Sequence, residues 1–150
     1  MNALRRAAIA AASLSLAFAV PALADDPWPT DNGDYVTVSM VSVDDGHDLH
    51  YMQHLAGLWR KGQDFAKAQG WITDYEILVN VNKRPGEPDV YLVTRFPRFA
   101  SKEEEAKRDA AYEAHMQQTV EQGQAGSAER SKYRTIMGSQ LLRAQVWKKK

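Results

Sequence analysis

The chain contains no cysteine. A disulfide and a lipid-modified cysteine anchor are both excluded. An excess of either charge is also missing: 19 Lys and Arg stand against 19 Asp and Glu. A neutral balance offers no long-range attraction to nucleic acid or to an anionic membrane, so neither is expected as a partner. Catalytic signatures are scarce too. There is no nucleophile elbow, no Gly-rich phosphate loop and no His-Glu-x-x-His helix, and no spacing supports a Ser-His-Asp triad. The N-terminal apolar run, Ala7 to Val20, falls short of the roughly 20 residues that a bilayer-spanning helix needs.

That run has a different reading. Arg5 and Arg6 precede it, and Pro21-Ala22-Leu23-Ala24 follows, with small residues third and first before Asp25. Positive start, apolar middle and small-residue exit form the pattern of a secretory signal peptide, residues 1–24. The expected compartment is the periplasm or the exterior, with no membrane attachment after cleavage. Losing Arg5 and Arg6 leaves a slight acidic excess, and Lys148-Lys149-Lys150 reads as a solvated tail.

Residues 25–34, rich in Asp with two prolines, are expected to form a flexible leader. One domain, residues 35–150, should follow. Tyr35 to Val43 alternates as a strand, with Val36, Val38 and Met40 on one side and Tyr35, Thr37, Ser39 and Val41 on the other. Asp45 or Asp48 is expected to cap a helix running to Gln69, with Gly70 as its left-handed terminator. Gly62 lies on the apolar stripe of this helix, which suggests close approach to the sheet. Trp59 and Tyr75 are expected in helix–sheet packing. A hairpin follows. Tyr75, Ile77, Val79 and Val81 alternate with Glu76, Leu78 and Asn80, and Val90, Leu92, Thr94 and Phe96 alternate with Tyr91, Val93 and Arg95. Pro85-Gly86 between them signals a type II turn. Ser101 with Glu104 matches a capping box for a second helix reaching about Gln118, with Tyr112, His115 and Met116 on a solvent face. Residues 122–127 read as a loop, residues 128–136 as a short helix and residues 140–147 as a last strand.

The order β-α-β-β-α-β is that of the ferredoxin-like, split-βαβ fold: α+β, with a four-stranded antiparallel sheet and both helices on one face. The apolar strand faces are expected under the helices. The opposite face would carry Thr37, Ser39, Glu76, Asn80, Arg95, Arg143 and Gln145 among Val41, Leu78, Val93, Leu141 and Trp147. Such a face is too apolar to lie bare and too polar for an ordinary core. A homodimer packed through its sheets, enclosing a wet cavity, answers both conditions.

Two constellations can carry chemistry. Glu76, Asn80, Tyr91, Arg95, Arg143 and Trp147 are candidates to line that cavity. Arginine suits carboxylate or phosphate in a partly dry site, so a small anionic or aromatic ligand is one expectation. An intersubunit salt-bridge cluster is the other. His47, His50 and His54, spaced by three and four, would share one helical face, where imidazoles one turn apart can hold zinc or copper; solvated histidines are the plainer reading. No cofactor is called for.

Three further pieces carry a resemblance: Leu58-Trp59-Arg60-Lys61, Pro88-Asp89-Val90-Tyr91-Leu92-Val93-Thr94, and Arg134-Thr135-Ile136-Met137-Gly138-Ser139-Gln140-Leu141-Leu142-Arg143. Through them the chain is similar to a group of small exported bacterial proteins of unassigned function. Its layout resembles the dimeric α/β-barrel superfamily, which includes antibiotic-biosynthesis monooxygenase-like and stress-responsive barrel domains. The resemblance assigns no catalytic residue. It leaves three expectations: a module binding a small molecule between subunits, a cofactor-independent monooxygenase-like enzyme using the same cavity, or metal handling by the histidines.

Overall fold

A computed structural model describes residues 26–149; the expected signal peptide lies outside the described residues. Four strands and three helices follow in order. They are β1 (Thr30–Val43), α1 (residues 48–68), β2 (Asp74–Val79), β3 (Val90–Phe96), α2 (Lys102–Met116), α3 (Val120–Arg130) and β4 (Arg134–Trp147). All neighbouring strands run antiparallel, in the order β2-β3-β1-β4. This is an α+β protein with the strand order expected of a ferredoxin-like chain. No helix among the described residues is long and apolar enough to cross a membrane.

β1 begins five residues earlier than the alternation suggested. Thr30, Asp31 and Asn32 of the expected leader pair with Trp147, Val146 and Gln145. One extra residue on β1 between Asn32 and Tyr35, and one on β4 between Ile136 and Gly138, shift the ladder twice. Such bulges bend and twist a long ribbon.

The helix α1 has three parts: α-helical Asp48–His54, a wider π-helical stretch Leu55–Trp59, and α-helical Arg60–Ala68. In the middle part the Arg60 N–H reaches the Leu55 carbonyl, five residues back. Its N-cap is His47, with no side-chain bond, so neither Asp45 nor Asp48 caps it. Its end follows the expectation. Gly70 takes φ +70, its N–H bonds Lys67 O at 3.0 Å, and Trp71 N–H bonds Ala66 O at 2.9 Å. Trp71 then packs edge-on against Phe65, the hydrophobic contact that accompanies this Schellman arrangement.

Gly62 does permit a close approach, but to α2 rather than to the sheet. A Cβ at Gly62 would collide with the Tyr112 hydroxyl. Around this contact Phe65 stacks on His115 at 4.1 Å and Met116 is buried, so Tyr112, His115 and Met116 form a helix–helix seam instead of a solvent face. The Ser101–Glu104 capping box forms as expected. Arg98 and then the Ser101 N–H bond the Glu104 carboxylate, pulling its pKa down to about 2.

The third helix is a departure. Residues 122–127 were expected as a loop because of Gly123 and Gly126. Instead Thr119 and Gln122 form a second capping box, and the helix runs through both glycines to Arg130. Residues 134–136, expected in a short helix, open β4 instead.

The core lies between α1 and one face of the sheet. Tyr51 and the fully buried Leu55 meet Val41, Val43, Val90 and Tyr133, flanked by Trp59, Ile77 and Leu92. Each such side chain removed from water contributes roughly 1.5–3 kcal/mol. Trp59 meets Tyr75 edge to face at 5.3 Å, the packing expected of both. The β2–β3 connection is tied down by Asp89. Its carboxylate accepts from Ser42 Oγ (3.0 Å), Val43 N–H (2.9 Å) and Lys83 Nζ (2.8 Å). Burial pushes the Asp89 pKa up, but Lys83 and these hydrogen bonds together outweigh it and leave it lowered. The Arg84–Glu87 turn, with Gly86 at φ +84, closes at 3.0 Å as the Pro-Gly pair implied.

Candidate functional site

Register settles which side of each strand meets the helices. Ser39 lies opposite Leu92 and Val41 opposite Val90, while Leu92 lies opposite Ile77. The helix-covered face therefore holds Tyr35, Thr37, Ser39, Val41 and Val43. The apolar set Val36, Val38 and Met40, expected under the helices, faces the other way. β4 is inverted likewise. Leu141 and Arg143 lie opposite Thr37 and Tyr35 on the covered side, and Leu142 lies opposite Val36 on the open side. Alternation identified two faces on each of these strands, but α1 covers the one with more polar atoms. It does so because Val41 and Val43 lie at its buried end, and because Tyr35 joins Phe96 and Phe99 in an aromatic cluster further down.

The open face is a shallow depression of about 430 Å³ lined by strand residues only, among them Val36, Leu78, Tyr91, Val93, Leu142 and Ala144. One charged pair crosses it: Arg95 Nη2 donates to Glu76 Oε1 at 3.1 Å, both side chains about half exposed. Leu78 and Leu142 are 48% and 47% exposed. An apolar bowl with a single oriented guanidinium can hold a flat or branched apolar group and dock a carboxylate at one end.

Three of the six candidate residues come together here: Glu76, Tyr91 and Arg95. The other three serve elsewhere. Asn80 donates to Glu87 Oε2 and Pro88 O, each at 3.2 Å, and accepts from Asn82 N–H, so it organises the β2–β3 connection. The Arg143 guanidinium lies 3.8 Å from the centre of the Tyr35 ring, a cation–π contact on the covered side, and the residue only borders the depression. Trp147 stands at the far end of β4, 76% exposed.

The histidines do not converge. His47 precedes the helix. It and His50 stack on Tyr133, at 5.2 and 4.7 Å, while His54 stacks on Tyr51 at 6.1 Å. Among the described residues no group of three or more His, Cys, Asp or Glu side chains is placed to share an ion. In this arrangement each of the three rings packs against a tyrosine. Burial, then Arg130, Arg134 and His50, push the His54 pKa down to about 4, so it is neutral at neutral pH.

Sequence reasoning did not single out Arg130 and Arg134 as a pair. Arg134 is 8% exposed; its Nη2 donates to Ser127 Oγ at 3.1 Å and its guanidinium lies over Tyr51. The Nε atoms of both arginines are buried without a hydrogen-bond partner. The Arg134-Thr135-Ile136 piece contained half of this signal, but no local spacing reveals the other half.

A groove between α1 and β2 makes a useful contrast. Arg60 pairs with Asp64, Lys67 with Asp74, and the Tyr75 hydroxyl donates to Asp64. These polar groups are already satisfied within the groove. No family model matches the chain, and no curated protein or solved structure matches it.

Proposed function

We propose that the protein is a small-molecule-binding module that acts as a homodimer, two copies facing each other through their open sheet faces around a shared cavity. The observation that carries this reading is the depression bordered by exposed Leu78 and Leu142 around the Arg95–Glu76 pair, with only strand residues lining it. A contiguous apolar patch of this kind marks an interaction surface. The ligand is a small molecule with an apolar or aromatic body and a carboxylate. Arg95 binds the carboxylate through its planar fork, and Glu76 holds the guanidinium in place. Export to the periplasm or exterior belongs to the same proposal, supported by the leader pattern of residues 1–24.

Sedimentation of the mature chain tests the assembly, and titration with salicylate tests the pocket. A dimer that Leu142→Lys converts to monomers with unchanged circular dichroism is the expected result, together with salicylate binding that Arg95→Gln abolishes. A wild-type chain that stays monomeric at high micromolar concentration refutes the proposal.

A further inference from the structure

A second groove, of about 430 Å³, lies between α1 and α3. His50 and His54 form one wall, Gly126 and Arg130 the other, with Tyr133 beneath and the Lys132–Glu129 ion pair near the rim. We infer that this groove binds a small organic anion, through a carboxylate or phosphate held by Arg130 with Arg134 supplying a second positive charge behind it.

Arginine stays protonated in proteins. A buried cation is costly unless a counter-ion or full hydrogen bonding compensates it. Neither the buried Arg134 nor the half-buried Arg130 takes part in an ion pair among the described residues. The carbonyl end of α3 offsets part of the Arg130 charge, but Arg134 opens a strand and has no such compensation. Glu129, the one carboxylate lining the groove, is bonded to Lys132 at 2.6 Å and largely exposed. The groove is thus a concentrated positive site whose neighbours are histidines and tyrosines.

The local sequence supports the geometry. Gly126 lies one turn before Arg130, and a Cβ there would sit 3.2 Å from Arg130 Nη1. Glycine in this helix leaves room for the guanidinium to fold back along the helix and line the groove. His50 stacks on Tyr133 at 4.7 Å, giving the anion's carbon skeleton a flat aromatic surface. Burial first, and then the two cations, hold His54 neutral, and its remaining ring N–H can donate to the anion. The α1–β2 groove has aromatic walls in Trp59 and Tyr75 but no unpaired cation, because its charges are mutually paired.

The site is independent of the open sheet face, and one experiment keeps the two apart. Thermal unfolding of the mature chain is followed with inorganic phosphate and with benzoate, at constant ionic strength set by chloride. At 100-fold excess over Kd, one of the two raises the midpoint by about 10 °C. The more effective probe identifies the anionic group. Arg130→Gln should weaken binding about tenfold or more, Arg130→Lys should weaken it less, and Arg95→Gln should leave it unchanged. In NMR titrations the bound anion raises the His54 midpoint, because it offsets Arg130 and Arg134. Two results overturn the inference: no shift with either probe up to about 10 mM, or undiminished binding by a folded Arg130→Gln variant. A carboxylate delivered into the groove by a second copy would give the first of these.

Discussion

Val41 and Val93 lie on opposite faces of one sheet and are almost equally buried, at 2% and 4%. On the covered face Val41 belongs to a cluster closed by Tyr51 and Leu55 from α1. Val93 is sheltered in a depression built from strand side chains alone, Arg95 and Leu78 among them. Equal exposure therefore conceals different mechanics. A helix excludes water with a close-packed layer, whereas long side chains exclude it with a layer that can move aside. The first arrangement is a core, and the second is a surface suited to a partner or a ligand.

Six substitutions put that difference under strain. The largest effect is expected from Leu55→Ala, which opens a cavity under α1 and should cost about 2–5 kcal/mol in urea unfolding. Gly62→Ala should cost about 1–3 kcal/mol by pushing Tyr112 out of the α1–α2 seam, whereas Gly57→Ala, with no atom within 4 Å of its Cβ, should gain up to about 1 kcal/mol. Third comes pH. The His54 pKa falls from 6.5 to about 4 on folding, so below 6.5 the unfolded chain binds a proton that the folded one refuses. Stability from this group is complete above 6.5 and drains away as pH falls toward 4. His54→Gln should flatten the stability profile in that window, as read by thermal midpoints. The smallest effects belong to the open face. Glu76→Gln and Leu142→Lys should each change monomer stability by about 0.5 kcal/mol or less. A loss at Leu142 comparable to that at Leu55, measured at a dilution where the wild-type chain is monomeric, would show that the open face is a core after all.

Much of the architecture was legible because local rules decide it. Gly70, the Pro85-Gly86 turn and the Ser101–Glu104 box each satisfy named backbone groups with residues a few positions apart. The hairpin faces were legible as well, since Ile77 and Leu92 outweigh anything opposite them. β1 and β4 were not. A strand with Val36, Val38 and Met40 on one side and Tyr35, Val41 and Val43 on the other can be covered from either, and only the position of α1 chooses. In α3 the penalty assigned to two glycines obscured a Thr119–Gln122 cap that the same rules could have found. The histidine spacing said nothing of Tyr133, which arrives from far along the chain and stacks on both His47 and His50. Arg130 and Arg134 are four apart, yet one ends a helix and the other begins a strand, so no periodic template pairs them.

The long β1–β4 ribbon has a mechanical consequence. Its last pair joins Thr30 to Trp147, and just beyond it Lys148 N–H bonds Pro29 O at 3.0 Å. The chain thus enters and leaves the sheet at the same end of two antiparallel strands. A pull applied across those two points loads the hydrogen bonds one after another, as in opening a zipper, rather than all together in shear. The fold should yield to such a pull at low force by peeling β4 from β1, even though it buries a complete core under α1.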